Sequence, residues 1–427
     1  METMDITTTS AAAPKPGYKL TRFGWIPEEW EVMKLSDVTS KVTVGIASAA
    51  THAYRNTGII LLRNLNIKEG YLDTSDLLFI DEEYEHSFRN KRLRVGDILT
   101  VRTGYPGISA VVTKEFENAQ SFTTLISRPK PSLVDSDYLC YLINSELGKE
   151  FVSNGQAGGG QKNINAGTLT HFTFPLPTKS EQTLIVSFLK QWEKYEKGLT
   201  DLIEAKHKYK RGLMQQLLTG QRRFPEFQEQ PWREMKLGNI LQEVSRDIVW
   251  DDDELYNLVS VRRRSGGLYF RESLHGHQIL TKGLKDVHAG DFLISKMQVV
   301  HGALGLATEE FEGMKVSGSY ISLVSKSEDE LLIEFFNYLS HLPQLYNIAL
   351  LASHGVHIEK MTFNLRDYFK HSVPIPPSVQ EQRKIVQTIE ALNQEIELLQ
   401  AQLRQWQQQK KGLMQQLLTG QLRVPHN

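Results

Sequence analysis

The chain has 427 residues, 40% of them hydrophobic and 23% charged, with a formal net charge of −1. That length gives roughly two to four domains, each able to bury a core, in a composition typical of globular proteins. No apolar run approaches the ~18–20 residues of a membrane span, and a single cysteine, Cys140, excludes an internal disulfide or a cysteine-rich metal site.

Residues 1–23 have neither the basic n-region nor the apolar h-region of a secretory signal. They read as a disordered tail, and the cytoplasm is the expected compartment. Strands are then expected at residues 59–62, 97–102, 108–113 and 123–127, with glycines between them, and a helix over 137–152. Cys140 falls in the apolar stretch of that helix and reads as an inert core thiol. A second helix begins at residue 178. Thr178 with Glu181 fits a capping box just after Pro177, and Ile185, Phe188, Trp192, Tyr195, Leu199 and Leu202 then step by three and four as a coiled-coil seam does. Gly220 stands where the helix should stop.

After a link at residues 222–231 the pattern recurs. Strands are expected at 255–262, 268–271, 292–296 and 320–324, and a helix over 330–351. Ser378 with Glu381 repeats the capping box, Ile385, Ile389, Leu392, Ile396, Leu399, Leu403 and Trp406 repeat the seam, and Gly420 repeats the stop. The ten residues from Gly212 to Gln221 recur without substitution from Gly412 to Gln421. Such a repeat decides the architecture. Trp30-Glu31-Val32-Met33-Lys34-Leu35 answers Trp232-Arg233-Glu234-Met235-Lys236-Leu237, and Gly96-Asp97 answers Gly290-Asp291. Phe174-Pro175-Leu176-Pro177 answers Val373-Pro374-Ile375-Pro376. The expected fold is mixed α/β: two similar globular domains, 24–177 and 232–376, joined by a long antiparallel two-helix coiled coil, 178–221 and 377–421, with a tail at 422–427. Each helix would run about 60 Å at 1.5 Å per residue.

The doubled Lys-x-Gly-Leu-Met-Gln-Gln-Leu-Leu-Thr-Gly segment and the doubled Pro-x-Pro…Glu-Gln helix start resemble those of the specificity subunit of a type I restriction-modification system. The resemblance covers residues 24–425. It implies two target recognition domains reading a split, asymmetric double-stranded DNA sequence, with the coiled coil setting the spacer. It further implies no catalysis and no cofactor on this chain. Two methyltransferase subunits and motor-nuclease subunits would be the partners, and they would use S-adenosylmethionine, ATP and Mg. The absence of a phosphate-cradling Gly-x-x-x-x-Gly-Lys-Ser/Thr loop agrees, as does the Ser378 that follows Pro376-Pro377 in place of the aromatic of an adenine-methylating loop.

A net charge of −1 leaves DNA binding to local basic patches or partner subunits. Phosphate contacts need Lys and Arg, whereas base reading needs bidentate Arg, Lys, Asn or Gln. The candidates are Arg63 and Asn64 at a strand end, Arg102 and Thr103 after the next strand, and Gln161, Lys162 and Asn163 in a Gly-rich loop. In the second half they are Arg262, Arg263 and Arg264, then Lys296 and Gln298 opposite Arg102, and His357 and Lys360 opposite the Gly-rich loop. Each has a plainer reading: the arginine run as a solvated turn, Arg102 and Lys296 as ion-pair partners. His354 and His357 lack the neighbouring carboxylates or cysteines of a metal site, and the acidic run 251–254 reads as a solvated loop. The basic residues Lys206, Lys208, Lys210 and Arg211 suit a helix C-terminus. Two rivals remain: a coiled-coil scaffold that binds only proteins, and an enzyme acting alone.

Overall fold

The computed structural model describes residues 15–155 and 163–424. Two compact units emerge, Met1–Leu199 with Gln402–Asn427 and Thr200–Ala401. Unit 1 opens on a hairpin, Tyr18–Thr21 against Gly24–Pro27, with Ile26 fully buried. Residues 18–23 therefore belong to the fold rather than to a tail.

The same strand order is built twice. In unit 1 an antiparallel sheet runs Ser109–Val111, Ile98–Thr100, Leu125–Pro129, Thr39–Val44. In unit 2 the sequence is Leu304–Leu306, Phe292–Ser295, Tyr320–Ser325, Leu241–Val244. The central strands are apolar on both faces because both faces are covered. Ile98 and Leu125 point into a core shared with the helices, while Leu99 and Ile126 join the core under a second sheet. Phe292 and Ile294 divide from Leu293 in the same way. The second sheet is Gln120–Ser121, Ile59–Leu62, Leu78–Ile80, Tyr54–Arg55 in unit 1 and Leu268–His275, Leu255–Val261, Lys315–Ser317, Leu284–Asp286 in unit 2.

The helices expected over 137–152 and 330–351 are each broken in two. Ser136–Asn144 ends where Ser145 turns extended and its hydroxyl donates to the Leu142 carbonyl at 2.6 Å; Glu146–Asn154 follows. In unit 2, Ile333–Leu339 gives way to Pro343–Leu351, with proline at the first helical turn, where its missing N–H costs nothing. Cys140 is buried, and burial pushes its thiol well above the usual range.

The doubled motifs pair with one another. Strand Glu31–Lys34 lies antiparallel to Thr173–Leu176, and Arg233–Lys236 to Ser372–Ile375. The prolines are tolerated because each sheet has only two strands. The Gly-Asp pairs form tight turns, with Gly96 and Gly290 at φ +87° and +89°. The buried Asp97 carboxylate takes two 2.7 Å bonds from Arg128, and Asp291 takes bonds from Arg246 at 2.6 and 3.1 Å.

Two 40-residue helices, Lys179–Leu218 and Val379–Leu418, contribute to both units. In unit 1 Trp192 stacks on Trp406 at 4.2 Å and Glu196 binds Lys410 at 3.1 Å. Further back along the first helix, Ile185 and Leu189 share a core with Leu417 and Leu418. In unit 2 Lys206 pairs with Glu395 at 2.6 Å and Lys210 donates to Asn393 at 2.7 Å, while Leu213 and Leu217 meet Ile385 and Ile389. As one residue number rises its partner's falls, so the helices run antiparallel within each unit. The basic residues Lys206 and Lys210 are thus interhelical partners. The seam departs from its expected pattern at Tyr195 and Leu202, 48% and 43% exposed, whereas Leu189 and Ile203 are buried.

Of the expected capping boxes the first is only half made and the second is not made, its Ser378 hydroxyl donating to Gln380 Oε1 at 2.9 Å. Thr178 Oγ1 accepts from the Glu181 N–H at 3.4 Å, but the glutamate does not reach back. Its carboxylate, 1% exposed, accepts from Arg423 at 2.5 and 3.0 Å and from the Trp30 indole at 2.8 Å. Glu381, equally buried, accepts from Arg223 at 2.8 and 2.7 Å and from Trp232 at 3.4 Å. The adjacent glutamine ties the helix to its globular neighbour. Gln182 accepts from the Asp135 N–H and donates to the Leu133 and Pro177 carbonyls; Gln382 does the same with Leu332, Glu330 and Pro376.

Glycine delivers each arginine. Gly220 and Gly420 adopt φ +70° and +72°, as a C-terminal glycine stop requires, and their N–H groups bond back to the Leu217 and Leu417 carbonyls, respectively. A side chain at 420 would also strike Pro27, its Cβ only 2.4 Å from Cδ. Because Arg223 and Glu381 are 12% and 1% exposed, breaking the pair strands a buried charge. Glu381→Ala should cost about 3–5 kcal/mol in urea denaturation, and Glu381→Ala with Arg223→Ala less than the sum of the single losses. Additive losses would mean the two groups do not act as a pair.

Candidate nucleic-acid interface

The sequence-predicted residues of unit 1 converge from three stretches. Strand Ile59–Leu62 ends in Arg63 and a tight turn, Asn64–Asn66, closed by the Asn66 side chain accepting from the Arg63 N–H at 2.9 Å. Strand Ile98–Thr100 ends in Arg102 and Thr103 beside it. Asn64 Nδ2 donates to Thr103 Oγ1 at 3.1 Å, and its Oδ1 lies 3.5 Å from the Arg102 N–H. Asn163 arrives as a bridge partner of Thr103, and Arg102 Nε donates to its Oδ1 at 3.3 Å. Asn64, Arg102, Thr103 and Asn163 thus form one hydrogen-bonded group. The Arg102 guanidinium, steered through Nε, keeps two terminal nitrogens in the fork geometry that suits a guanine edge.

Arg63 does something else. Its guanidinium donates to the Asp76 carboxylate at 2.7 Å and carbonyl at 3.0 Å, and its own side chain is only 23% exposed. It holds the turn that presents Asn64. Gln161 and Lys162 lie outside the described residues. Tyr105, 79% exposed, stands next to this group; its only sequence signal was a place among glycines.

Unit 2 builds the corresponding surface with different side chains. The Ile164 N–H donates to the Arg102 carbonyl at 3.1 Å, and in unit 2 the Phe363 N–H donates to the Lys296 carbonyl at 2.9 Å. Lys296 is therefore the structural counterpart of Arg102. Its ammonium bonds the Gly318 carbonyl at 2.8 Å. Gln298 is half-buried, and its Oε1 has no hydrogen-bond partner among the described residues. Arg262, Arg263 and Arg264 lie exposed on the hairpin between Leu255–Val261 and Leu268–His275. This is no loose turn. Arg264 and Ser265 both hold the left-handed conformation, φ +58° and +52°, which non-glycine residues rarely adopt. Bonds from the Arg264 N–H to His301 at 2.7 Å and from the Ser265 N–H to Gly302 at 2.8 Å hold them there, helped by the Ser265–Tyr346 hydroxyl pair. Arg262 meanwhile stacks over the Tyr269 ring at 4.5 Å.

His357 and Lys360 are exposed on a loop between two short paired strands, Ser353–His354 and Thr362–Phe363. His354 is taken by Asp367 at 2.8 Å. The acidic run before Leu255 is a loop, where Asp252 accepts from Trp250 at 2.8 Å and Lys282 at 3.0 Å.

The sequence profile of the type I restriction modification DNA specificity domain matches residues 27–205. A putative type I restriction enzyme MjaX specificity subunit from Methanocaldococcus jannaschii is 26% identical over 432 residues, covering 95% of this chain and 97% of its own. Residues 27–205 thus carry a type I restriction modification DNA specificity domain, and the chain over nearly its whole length is similar to type I specificity subunits. The EcoKI specificity subunit of Escherichia coli is 25% identical over 39% of this chain and 36% of its own. Two solved structures share the fold at 16% identity. One, from a study of complex assembly and conformational transition of the type I R-M system, has a TM-score of 0.62 over 93% of this chain and 99% of that one. The HsdS subunit of Thermoanaerobacter tengcongensis has a TM-score of 0.52 over 93% and 98%.

In a specificity subunit, a residue that orients a base reader and one that holds the fold fail differently. Arg102→Ala should relax one base position of one half-site by about 1–3 kcal/mol. Asn163→Ala should relax that same position, since it frees the guanidinium. Arg63→Ala should lower stability and leave base preference intact. Binding to a library randomised over the half-site reads all three; relaxation at two different positions would separate Arg102 from Asn163.

Proposed function

We propose that this chain is the DNA-sequence-recognition subunit of a type I restriction-modification complex, each unit reading one half of a split, asymmetric target. One observation carries this reading. The two units share a backbone frame down to the Arg102–Ile164 and Lys296–Phe363 bonds, yet the donors mounted on that frame differ. Asn64, Thr103 and Asn163 gather around Arg102, whereas the arginine hairpin, Gln298 and the 355–360 loop flank Lys296. A duplicated frame with unlike edges suits two unlike half-sites, because base-edge donors set specificity while the frame sets position.

The recognition domains run over 18–177 and 232–376, and the long helices set the spacer between half-sites. Two methyltransferase subunits dock on the chain and motor-nuclease subunits join them. Methylation, translocation and cleavage, with S-adenosylmethionine, ATP and Mg, belong to those partners, and this chain does no chemistry of its own. A chain of net charge −1 holds little general attraction for a polyanion, so the partners supply much of the phosphate contact. In a mobility-shift assay at physiological salt the chain alone should bind DNA weakly. Adding the methyltransferase should produce a tight complex on one split sequence. A chain that selects that sequence alone, or a complex that binds every sequence equally, would contradict the assignment.

A further inference from the structure

Unit 2 exposes apolar side chains beside basic residues of its candidate surface. Val356 is 94% exposed, Ile358 51% and Met297 41%. Singly such residues need no explanation, but these three lie on two segments joined by hydrogen bonds. The loop that carries Val356 and Ile358 springs from the paired strands Ser353–His354 and Thr362–Phe363. Thr362 Oγ1 lies 3.9 Å from the Met297 sulfur, and the Phe363 N–H bonds the carbonyl of Lys296. The loop is closely folded. The Lys360 N–H bonds the His357 carbonyl at 2.8 Å, and a Cβ at Gly355 would come within 2.9 Å of the Lys360 carbonyl.

The surroundings are polar and mostly cationic, with Glu359 the acidic residue of the loop. His357 and Lys360 interleave with the apolar residues, Lys296 adjoins Met297, and the arginine hairpin is docked on His301 and Gly302, just past Gln298. That interleaving breaks up the continuous apolar patch a protein partner would need. It matches a DNA groove, where phosphates flank base edges. In the major groove the one apolar group a base pair presents is the 5-methyl of thymine.

We propose that Val356 and Ile358, backed by Met297, are specificity-determining contacts for thymine methyl groups, so that the half-site read by unit 2 contains at least one A·T pair recognised in the major groove through its methyl. This rests on the DNA-recognition reading above. It assigns part of unit 2's selectivity to apolar contact, which the lysine and histidine donors cannot supply.

The test uses the full chain in complex with its methyltransferase, on duplexes carrying the mapped target. Each thymine of the unit 2 half-site is replaced in turn by deoxyuridine, which removes only the methyl. At one or more positions binding should weaken about three- to five-fold, as loss of one buried methyl predicts. In a Val356→Ala, Ile358→Ala variant that difference should disappear, while deoxyuridine in the other half-site has the same effect as with the parent. Both residues are exposed, so the variant keeps its fold. Equal binding of thymine and deoxyuridine at every position, a difference that survives in the variant, or a unit 2 half-site made only of G·C pairs would overturn the proposal. A complex that selects no sequence would overturn the DNA-recognition reading itself.

Discussion

Two buried carboxylates organise this molecule. Glu181 and Glu381 are each 1% exposed, and an ionised carboxylate so deeply buried is tolerable only when paired and hydrogen-bonded. Neither finds its partner nearby. Glu181 waits for Arg423, 242 residues on, and Glu381 for Arg223, 158 residues back. In each case the arginine follows the C-terminus of the other long helix, so satisfying the charge brings one helix's end to the other's beginning. The antiparallel sense within each unit follows. So does the recurrence of the decapeptide, because Leu217-Leu218 and Leu417-Leu418 fill equivalent sockets beside Ile385 and Ile185.

With that constraint met, each globular portion is free to differ at its edge. The glutamine after each glutamate fastens helix to domain through backbone groups alone, so the join makes few demands on domain sequence. The antiparallel four-stranded sheets keep their order, and the Gly-Asp turns, their buried carboxylates bonded by Arg128 and Arg246, hold the strands that end in Arg102 and Lys296. Variation collects beyond those strand ends, where loops carry donors, aromatic rings and apolar tips. A rigid frame with variable edges is what a family of readers with different targets needs.

The long helices were legible in the sequence because their signals are local: a three-four apolar step, prolines before, a glycine stop after. The doubled motifs were legible as repeats, but not what each residue does. Glu181 and Glu381 fit a capping box by spacing, and only the fold reveals that a distant arginine takes the carboxylate. The helix expected over 330–351 runs through Pro343, although that proline begins the second helix, and the break at Ser145 depends on a side chain bonding its own backbone. At the candidate interface, strand ends and glycines pointed to stretches of which the fold brings Asn64, Arg102, Thr103 and Asn163 together. Sequence could not tell Arg63, neutralised by Asp76, from Arg102, steered by Asn163 from 61 positions away. It also passed over Tyr105, Val356 and Ile358, since exposure of an apolar residue is visible only in three dimensions.

On the proposed function, the two units are independent readers built on the same frame. The most direct measurement is the genome-wide methylation pattern of a host carrying the methyltransferase and a chain whose residues 30–174 are replaced by the corresponding domain of another family member. Unit 2 and both helices would be untouched. Independent readers should give methylation at a new split sequence in which one half-site has changed and the other is retained. Change in both half-sites, or in neither, would contradict it.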